Sequence, residues 1–262
     1  MADLEQAPVR APIVVVTEGG AHIWAIVNAI EAAFGPICVV VEQPESKRLL
    51  LSRRMRRQGI VSVAGQLGTM ILIRLMKRLK PRVPAGIAAD AGLDTTPPEP
   101  DRVIRVSSAD SPELVAALRT LAPAVVLLAG CRLLSPPTLA AIEPPVLNYH
   151  AGIAPKYRGM NGGYWALATG DAENFGATVH LVDAGVDTGA VLYKVRARPH
   201  PDSTIATYAL SQAASSRDII VKSLADALDG RLRPFKPEPP SGLWFHPTIW
   251  RYLFTGLTRG VW

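Results

Sequence analysis

The stretch PIVVVTEGGAHIWAIVNAIEAAFGPICVVVEQ, residues 12–43, decides the architecture. Its opening, PIVVVTEGG (12–20), is a β-branched run closed by two glycines, which reads as a strand that stops abruptly. IWAIVNAIEAAF (23–34) then sets apolar residues at helical spacing, and PICVVVEQ (36–43) is a short apolar run that reads as a second buried strand. Strand, helix and strand in this order make a right-handed crossover, the unit of a parallel sheet. Farther on come VIRVSS (103–108), the helix SPELVAALRTL opened by Ser111 and Pro112, and the strands AVVLLAG (124–130) and PVLNYH (145–150). The expected fold is α/β and Rossmann-like, a mostly parallel sheet with helices on both faces and ligands beyond the carboxyl ends of its strands.

The second half reads differently. GATVHLVD (176–183) and GAVLYKVRARP (189–199) alternate as strands joined through AGVDTG, and a helix is expected from Ser203 to about Leu228, capped by Asp202 or Ser203. DGRLRPFKPEPPSG is a proline-rich linker, and the tail after it holds three of the five tryptophans. The chain is expected to divide into a main domain over 1–232 and a proline-rich, Trp-rich extension over 233–262, with a basic helical insertion at 47–82. Within that insertion, Ile71, Leu72, Leu75, Met76 and Leu79 share a helix face opposite Arg74, Lys77 and Arg78. Three uses stay open for it: a solvated helix pair on the sheet, a peripheral membrane or partner contact, or binding of a phosphorylated or nucleotide-linked substrate.

The net charge is +6 over 262 residues, but it is not spread evenly. Eleven of the 28 Lys and Arg lie between Lys47 and Arg82, where there is no Asp or Glu, which leaves 17 basic against 22 acidic residues elsewhere. A general nucleic-acid surface is therefore not expected. Cys38 and Cys131 sit in apolar runs and form neither a disulfide framework nor a metal set, and no metal is expected. MADLEQAPVRAP lacks the basic start and apolar core of a secretory signal. The uncharged run from Gln58 to Ile73, broken by Gln66 and three glycines, falls short of the ~20 apolar residues of a membrane span. These features read as a cytoplasmic protein.

The chemistry-bearing stretch is VLNYHAGIAPKYRG (146–159). Period two puts Asn148 and His150 on one face at the end of a strand, where a site is expected. LNYHAGIAPKYRGMNGGYWALATGDAENFGATVHLVDAGVDTG resembles the catalytic region of formyltransferases that use 10-formyltetrahydrofolate. That family includes glycinamide ribonucleotide, methionyl-tRNA and sugar N-formyltransferases, which carry Asn-x-His, then Pro-x-Tyr-x-Gly, then an Asp in a segment shaped like T-V-H-x-x-x-x-x-x-D-x-G. The matching residues are Asn148, His150, Pro155, Tyr157, Gly159, Thr178, Val179, His180, Asp187 and Gly189. LAGCRLLSP (128–136) is similar to the family's loop that receives the pterin ring, so the likeness runs over roughly residues 100–230.

The resemblance implies catalytic roles for Asn148, His150 and Asp187. It implies donor contacts at Cys131, Arg132, Leu133, Leu134 and Asp183, and substrate contacts at Gly19, Gly20, Tyr157, Arg158 and Gly159. Formyl transfer between nitrogens develops negative charge on the formyl oxygen, which an amide and an imidazolium can meet, while a carboxylate keeps the imidazole charged and relays protons. Asp187 also suits a turn, His180 reads as a structural strand histidine, and His22, His200 and His246 receive no role.

The departures bear on the acceptor. In the ribonucleotide enzymes the first strand ends in a phosphate-holding loop; here it reads TEGGAH, where Glu18 would repel a phosphate. The residues after about 230 are too few and too proline-rich for the β-barrel that serves tRNA. The expectation is N-formyl transfer to a small-molecule amine, first a nucleotide-linked amino sugar. A purine-pathway enzyme, a formyltetrahydrofolate hydrolase and a non-catalytic membrane or partner adaptor stand as alternatives. A homodimer packed through the tail is as open as a tail that covers the site.

Overall fold

Every residue of β1 (Ile13–Thr17) is buried, because this β-branched run lies in the middle of a seven-stranded sheet. The structure, a computed structural model, describes residues 12–262; the segment read above for a secretory signal lies almost wholly outside the described residues. Helix α1 (Ala21–Phe34) carries the chain back to β2 (Cys38–Glu42), which pairs parallel with β1. The helices α2 (Lys47–Gln58), α3 (Ile60–Leu79) and α4 (Val83–Asp90) intervene before β3 (Val103–Val106). Then α5 (Pro112–Leu121), β4 (Val125–Ala129), α6 (Pro136–Ala140) and β5 (Val146–His150) complete the parallel part. The short β6 (Arg158–Gly159) and α7 (Gly162–Ala168) lead to β7 (Gly176–Leu181) and β8 (Val191–Arg196), which run antiparallel. Helix α8 (Tyr208–Leu228), β9 (Leu243–Trp244) and α9 (Ile249–Arg259) follow.

The strand order is β3-β2-β1-β4-β5-β7-β8, so the winding reverses between β1 and β4. A crevice at that reversal, beyond the strand carboxyl ends, is where such sheets bind ligands. Alternate strand residues fill two cores. Ile13, Val15, Leu127, Leu147 and Tyr149 meet α1 and α8 on one face. Val14, Val16, Val126, Leu128 and Val146 meet Leu114 and Leu118 of α5 on the other. Asn148 and His150 therefore share the α5 face with Val146, as period two requires. The mostly parallel α/β sheet with helices on both faces is the fold read from the sequence.

The structure revises two readings, the start of α8 and the length of α3, and places the tail and the basic insertion. Helix α8 starts at Tyr208 rather than Ser203, because the Thr204 amide donates to Thr207 Oγ1 (2.9 Å) and the Thr207 amide to Thr204 O (2.8 Å), a turn that competes with helix. The tail packs on its own chain: Tyr252 is fully buried in an aromatic cluster with Tyr157, Tyr164 and Trp165, and Trp244 stacks on Trp165 at 4.6 Å. The basic insertion does form a helix pair, α2 and α3, and packing splits the apolar face of α3: Leu72 and Met76 turn inward to the cluster around Tyr252. Its buried side also carries Val63, Gly65, Gln66 and Thr69, while Ile71, Leu75 and Leu79 are exposed. Measured to Leu79 instead of Ile73, α3 is long and apolar enough to cross a membrane by length and composition.

Candidate active site

Antiparallel pairing of β5 with β7 sets Asn148 directly opposite His180 and His150 opposite Thr178. The Asn148 amide nitrogen lies 3.0 Å from His180 Nε2 and donates to Asp187 Oδ1 at 3.2 Å. Asp187 comes from the loop between β7 and β8. Its Oδ2 accepts the Gly159 amide at 2.8 Å and lies 3.5 Å from His150 Nδ1, while Oδ1 is 3.4 Å from His180 Nε2. One amide, two imidazoles and one carboxylate thus meet at the end of β5.

Backbone carbonyls fix both rings. His150 Nε2 lies 2.6 Å from Tyr157 O and His180 Nδ1 2.7 Å from Leu181 O, and a carbonyl can only accept, so each of these nitrogens carries a proton. His150 then pairs with Asp187 when Nδ1 is protonated as well. His180 Nε2 faces both the Asn148 amide at 3.0 Å and Asp187 Oδ1 at 3.4 Å. Burial alone would raise the Asp187 carboxyl, but the charge of His150, hydrogen bonding from His180 and the Gly159 amide outweigh it and hold the group well below the usual carboxylate range. Asp187 is therefore an ionised anchor at neutral pH. It has φ +49°, in the left-handed region, and the loop is closed beneath it by Asp183, whose Oδ1 accepts from the Gly185 amide (3.0 Å) and the Thr188 hydroxyl (2.6 Å).

Several expected contacts act through this loop. Tyr157 is 1% exposed, and its hydroxyl donates to Asp171 at 2.6 Å and meets Thr169 at 2.9 Å, so its ring is core and only its carbonyl serves the site. The Arg158 guanidinium donates to Val186 O (2.9 Å) and Ser241 Oγ (3.0 Å), which pins the residue before Asp187. Gly159 has φ +87°, and a Cβ there would stand 2.4 Å from Trp244 O, so only glycine lets β6 pair with β9 and aim its amide at Asp187.

At the end of β4, Arg132 is committed elsewhere: its amide and Nε both donate to Glu42 (2.6 and 2.7 Å), whose side chain is fully buried. Burial pushes the Cys131 thiol up, and Leu134 lies in the core; Leu133, 56% exposed, is the apolar side chain of this loop open to a ligand. At the end of β1, the Gly19 amide donates to Thr17 Oγ1 at 2.8 Å and Gly20 caps α1. Burial and the neighbouring Glu42 raise the Glu18 carboxyl. His246, given no role from sequence, meets Asn161 at 2.9 Å, and burial together with the charge of Arg54 lowers it to about 4; burial and Lys77 do the same to His22. His180 is the residue that sequence reasoning left out of the site. Its signal was the T-V-H stretch matched above, and the strand register sets it opposite Asn148.

A family model described as Formyl transferase matches residues 13–224. The chain is 34% identical over 139 residues to a methionyl-tRNA formyltransferase of Synechococcus sp. (strain JA-3-3Ab), covering 53% of this chain and 42% of that protein. It is 31% identical over 167 residues to the methionyl-tRNA formyltransferase of Burkholderia ambifaria, covering 63% and 50%. The chain thus spans half or less of the length of these curated relatives. Among solved structures, glycinamide ribonucleotide transformylase 1 from Symbiobacterium toebii superposes with a TM-score of 0.55 at 20% identity, over 90% of this chain and 99% of that one. A sugar N-formyltransferase from Shewanella sp. gives 0.56 at 13% identity, over 88% and 75%. These two likenesses are of fold. The family model, which runs from β1 into α8, shows that the chain belongs to the formyl transferase family.

Proposed function

We propose that the chain is an N-formyltransferase that takes the formyl group of 10-formyltetrahydrofolate to the amine of a small molecule, a nucleotide-linked amino sugar first. The observation that carries the reading is the cluster of Asn148, His150, His180 and Asp187 at the carboxyl end of β5. The folate supplies the formyl carbon: the amine nitrogen bonds to it, its bond to N10 breaks, N10 takes up a proton and the amine gives one up. The exposed Leu133 beside the backbone of Gly130 and Cys131 suits a flat ring, so residues 130–134 are where the donor would lie. Asn148 donates to the oxygen that gathers negative charge, and one such donor is worth about 3 kcal/mol of barrier. His180 controls that donor. Its Nε2, 3.0 Å from the Asn148 amide nitrogen, competes with the formyl oxygen for one of the two amide hydrogens. His150 and Asp187 hold each other in place, and Asp187, held ionised, relays protons through water rather than taking them as a strong base.

The acceptor class rests on the β1 end. Glu18, directly after β1, disfavours a phosphate next to the reacting amine, and an amino sugar keeps its amine away from its nucleotide phosphates. The test is release of tetrahydrofolate with and without nucleotide-linked amino sugars, glycinamide ribonucleotide and amino acids, against His150→Ala. Release that depends on an amino sugar and vanishes in the variant is expected. Amine-independent release would make the protein a hydrolase, and no release or folate binding would remove the enzymatic reading.

A further inference from the structure

Helix α3 is apolar on two sides, more than a helix that only packs on its own domain needs. Val63, Gln66, Thr69, Leu72 and Met76 face inward with Gly65, and the outer stripe Ile60, Ala64, Leu67, Ile71, Leu75 recurs at helical spacing. Ile60 is 73% exposed, Ile71 69% and Leu75 52%. The glycines explain the inner face: a Cβ at Gly65 would stand 2.4 Å from the Trp250 ring, and one at Gly68 would be 3.2 Å from Ile249 Cβ, so α9 lies directly against α3. Helix α9 repeats the pattern. Tyr252, Thr255 and Gly256 are buried, whereas Trp250, Phe254 and Leu257 stand out at the i, i+4, i+7 spacing, Leu257 at 78% exposure. Two helices in contact thus each present large apolar side chains to solvent, and patches of that kind mark interaction surfaces.

Charge selects the occupant. Residues 47–82 hold eleven Lys and Arg and no acid, and residues 239–262 hold Arg251 and Arg259 and no acid. Arg74, Lys77, Arg78 and Lys80 crowd the exposed end of α3. A symmetric contact with a second copy would press these like charges together. An RNA backbone would satisfy the cations but leave the aliphatic stripe and Phe254 in water. An anionic bilayer satisfies both, through apolar side chains at the acyl boundary and cations at the headgroups. A transmembrane placement of α3 is disfavoured, because Gln66, Thr69 and the α9 contact would have to leave the protein. We propose that the outer faces of α3 and α9 form a docking surface for the headgroup region of an anionic phospholipid bilayer. The surface borders the candidate site: Arg54 of α2 reaches Met70 of α3 at 4.0 Å and Met160, the residue after Gly159, at 3.9 Å.

The test is co-sedimentation of the full chain with vesicles of phosphatidylcholine containing phosphatidylglycerol, and with phosphatidylcholine alone. It uses neither folate nor amine, so it stands or falls separately from the catalytic reading. Pelleting with the anionic vesicles only is expected, and it should be lost at high salt. Arg74→Gln/Arg78→Gln/Lys80→Gln should lower partitioning on the order of a hundredfold. Ile71→Ser/Leu75→Ser should lower it at least about tenfold. Both variants alter exposed side chains, and circular dichroism matching wild type verifies their fold. Wild-type protein that fails to pellet, pellets equally with both vesicles, or forms a dimer or RNA complex in place of lipid binding would overturn the proposal, as would variants that pellet undiminished.

Discussion

Asp187→Asn keeps the shape of the site and removes its negative charge. In the wild type the carboxylate accepts the Gly159 amide at 2.8 Å and Asn148 at 3.2 Å, and lies 3.5 Å from His150 Nδ1 and 3.4 Å from His180 Nε2. Hydrogen bonds to a charged group contribute about 1.5–3 kcal/mol each, and an amide can still accept the Gly159 hydrogen with its oxygen, so a net loss of about 2–3 kcal/mol is expected. For a domain of this size that is about 4–12 °C in Tm. Activity should fall further. The variant's amide nitrogen can only donate, toward an Asn148 nitrogen that also donates, so the oxyanion donor is misaimed and kcat should drop by about 10²–10³. The pH dependence has a definite sign: the Asp187 carboxyl is depressed in the folded state, so its contribution is complete above the unfolded carboxyl value of about 4 and is lost as pH falls toward the lower folded value. Thermal melts of both proteins between acid and neutral pH, with folate-release kinetics at neutral pH, check this. A stability gap that stays constant as the solution is acidified below pH ~4 would refute the electrostatic argument, and wild-type turnover would refute the catalytic one.

Gly159→Ala should cost at least about 2 kcal/mol in denaturant unfolding and abolish turnover, because the left-handed backbone disfavours a side chain and the new Cβ meets Trp244 O. Tyr157→Phe should destabilise by about 1–2 kcal/mol through loss of the Asp171 bond while leaving the acceptor KM unchanged; a raised KM would return Tyr157 to the substrate site. Arg132→Met strands the buried Glu42 carboxylate and should cost about 3–5 kcal/mol, read from urea midpoints, with the loss relieved in the double variant with Glu42→Gln. Leu133→Ser should weaken folate binding by calorimetry with little change in Tm, since the side chain is half exposed.

The sequence by itself determined the parallel sheet and the strand end that bears the site. Runs such as IVVVT and VVLLA are apolar on both faces, a pattern that a doubly covered parallel strand requires. Period two placed Asn148 with His150, and Asp187 was found through its Asp-Thr-Gly framing. What the sequence could not hold was register and facing. His180 joined the site because β7 pairs antiparallel with β5 at that one alignment, a relation between residues 32 positions apart. Tyr157, Arg158 and Arg132 have the chemistry of ligand contacts, and only the tertiary structure turned them to Asp171, to Val186 O and to the buried Glu42. The same holds for α3. Its hydrophobic pattern grouped Ile71, Leu72, Leu75, Met76 and Leu79, but packing divided them: Leu72 and Met76 met the aromatic cluster, the others stayed exposed, and α9 came close at Gly65 and Gly68. Local periodicity comes from bonds along the chain and is legible there; direction comes from partners far away in sequence, which only packing brings together.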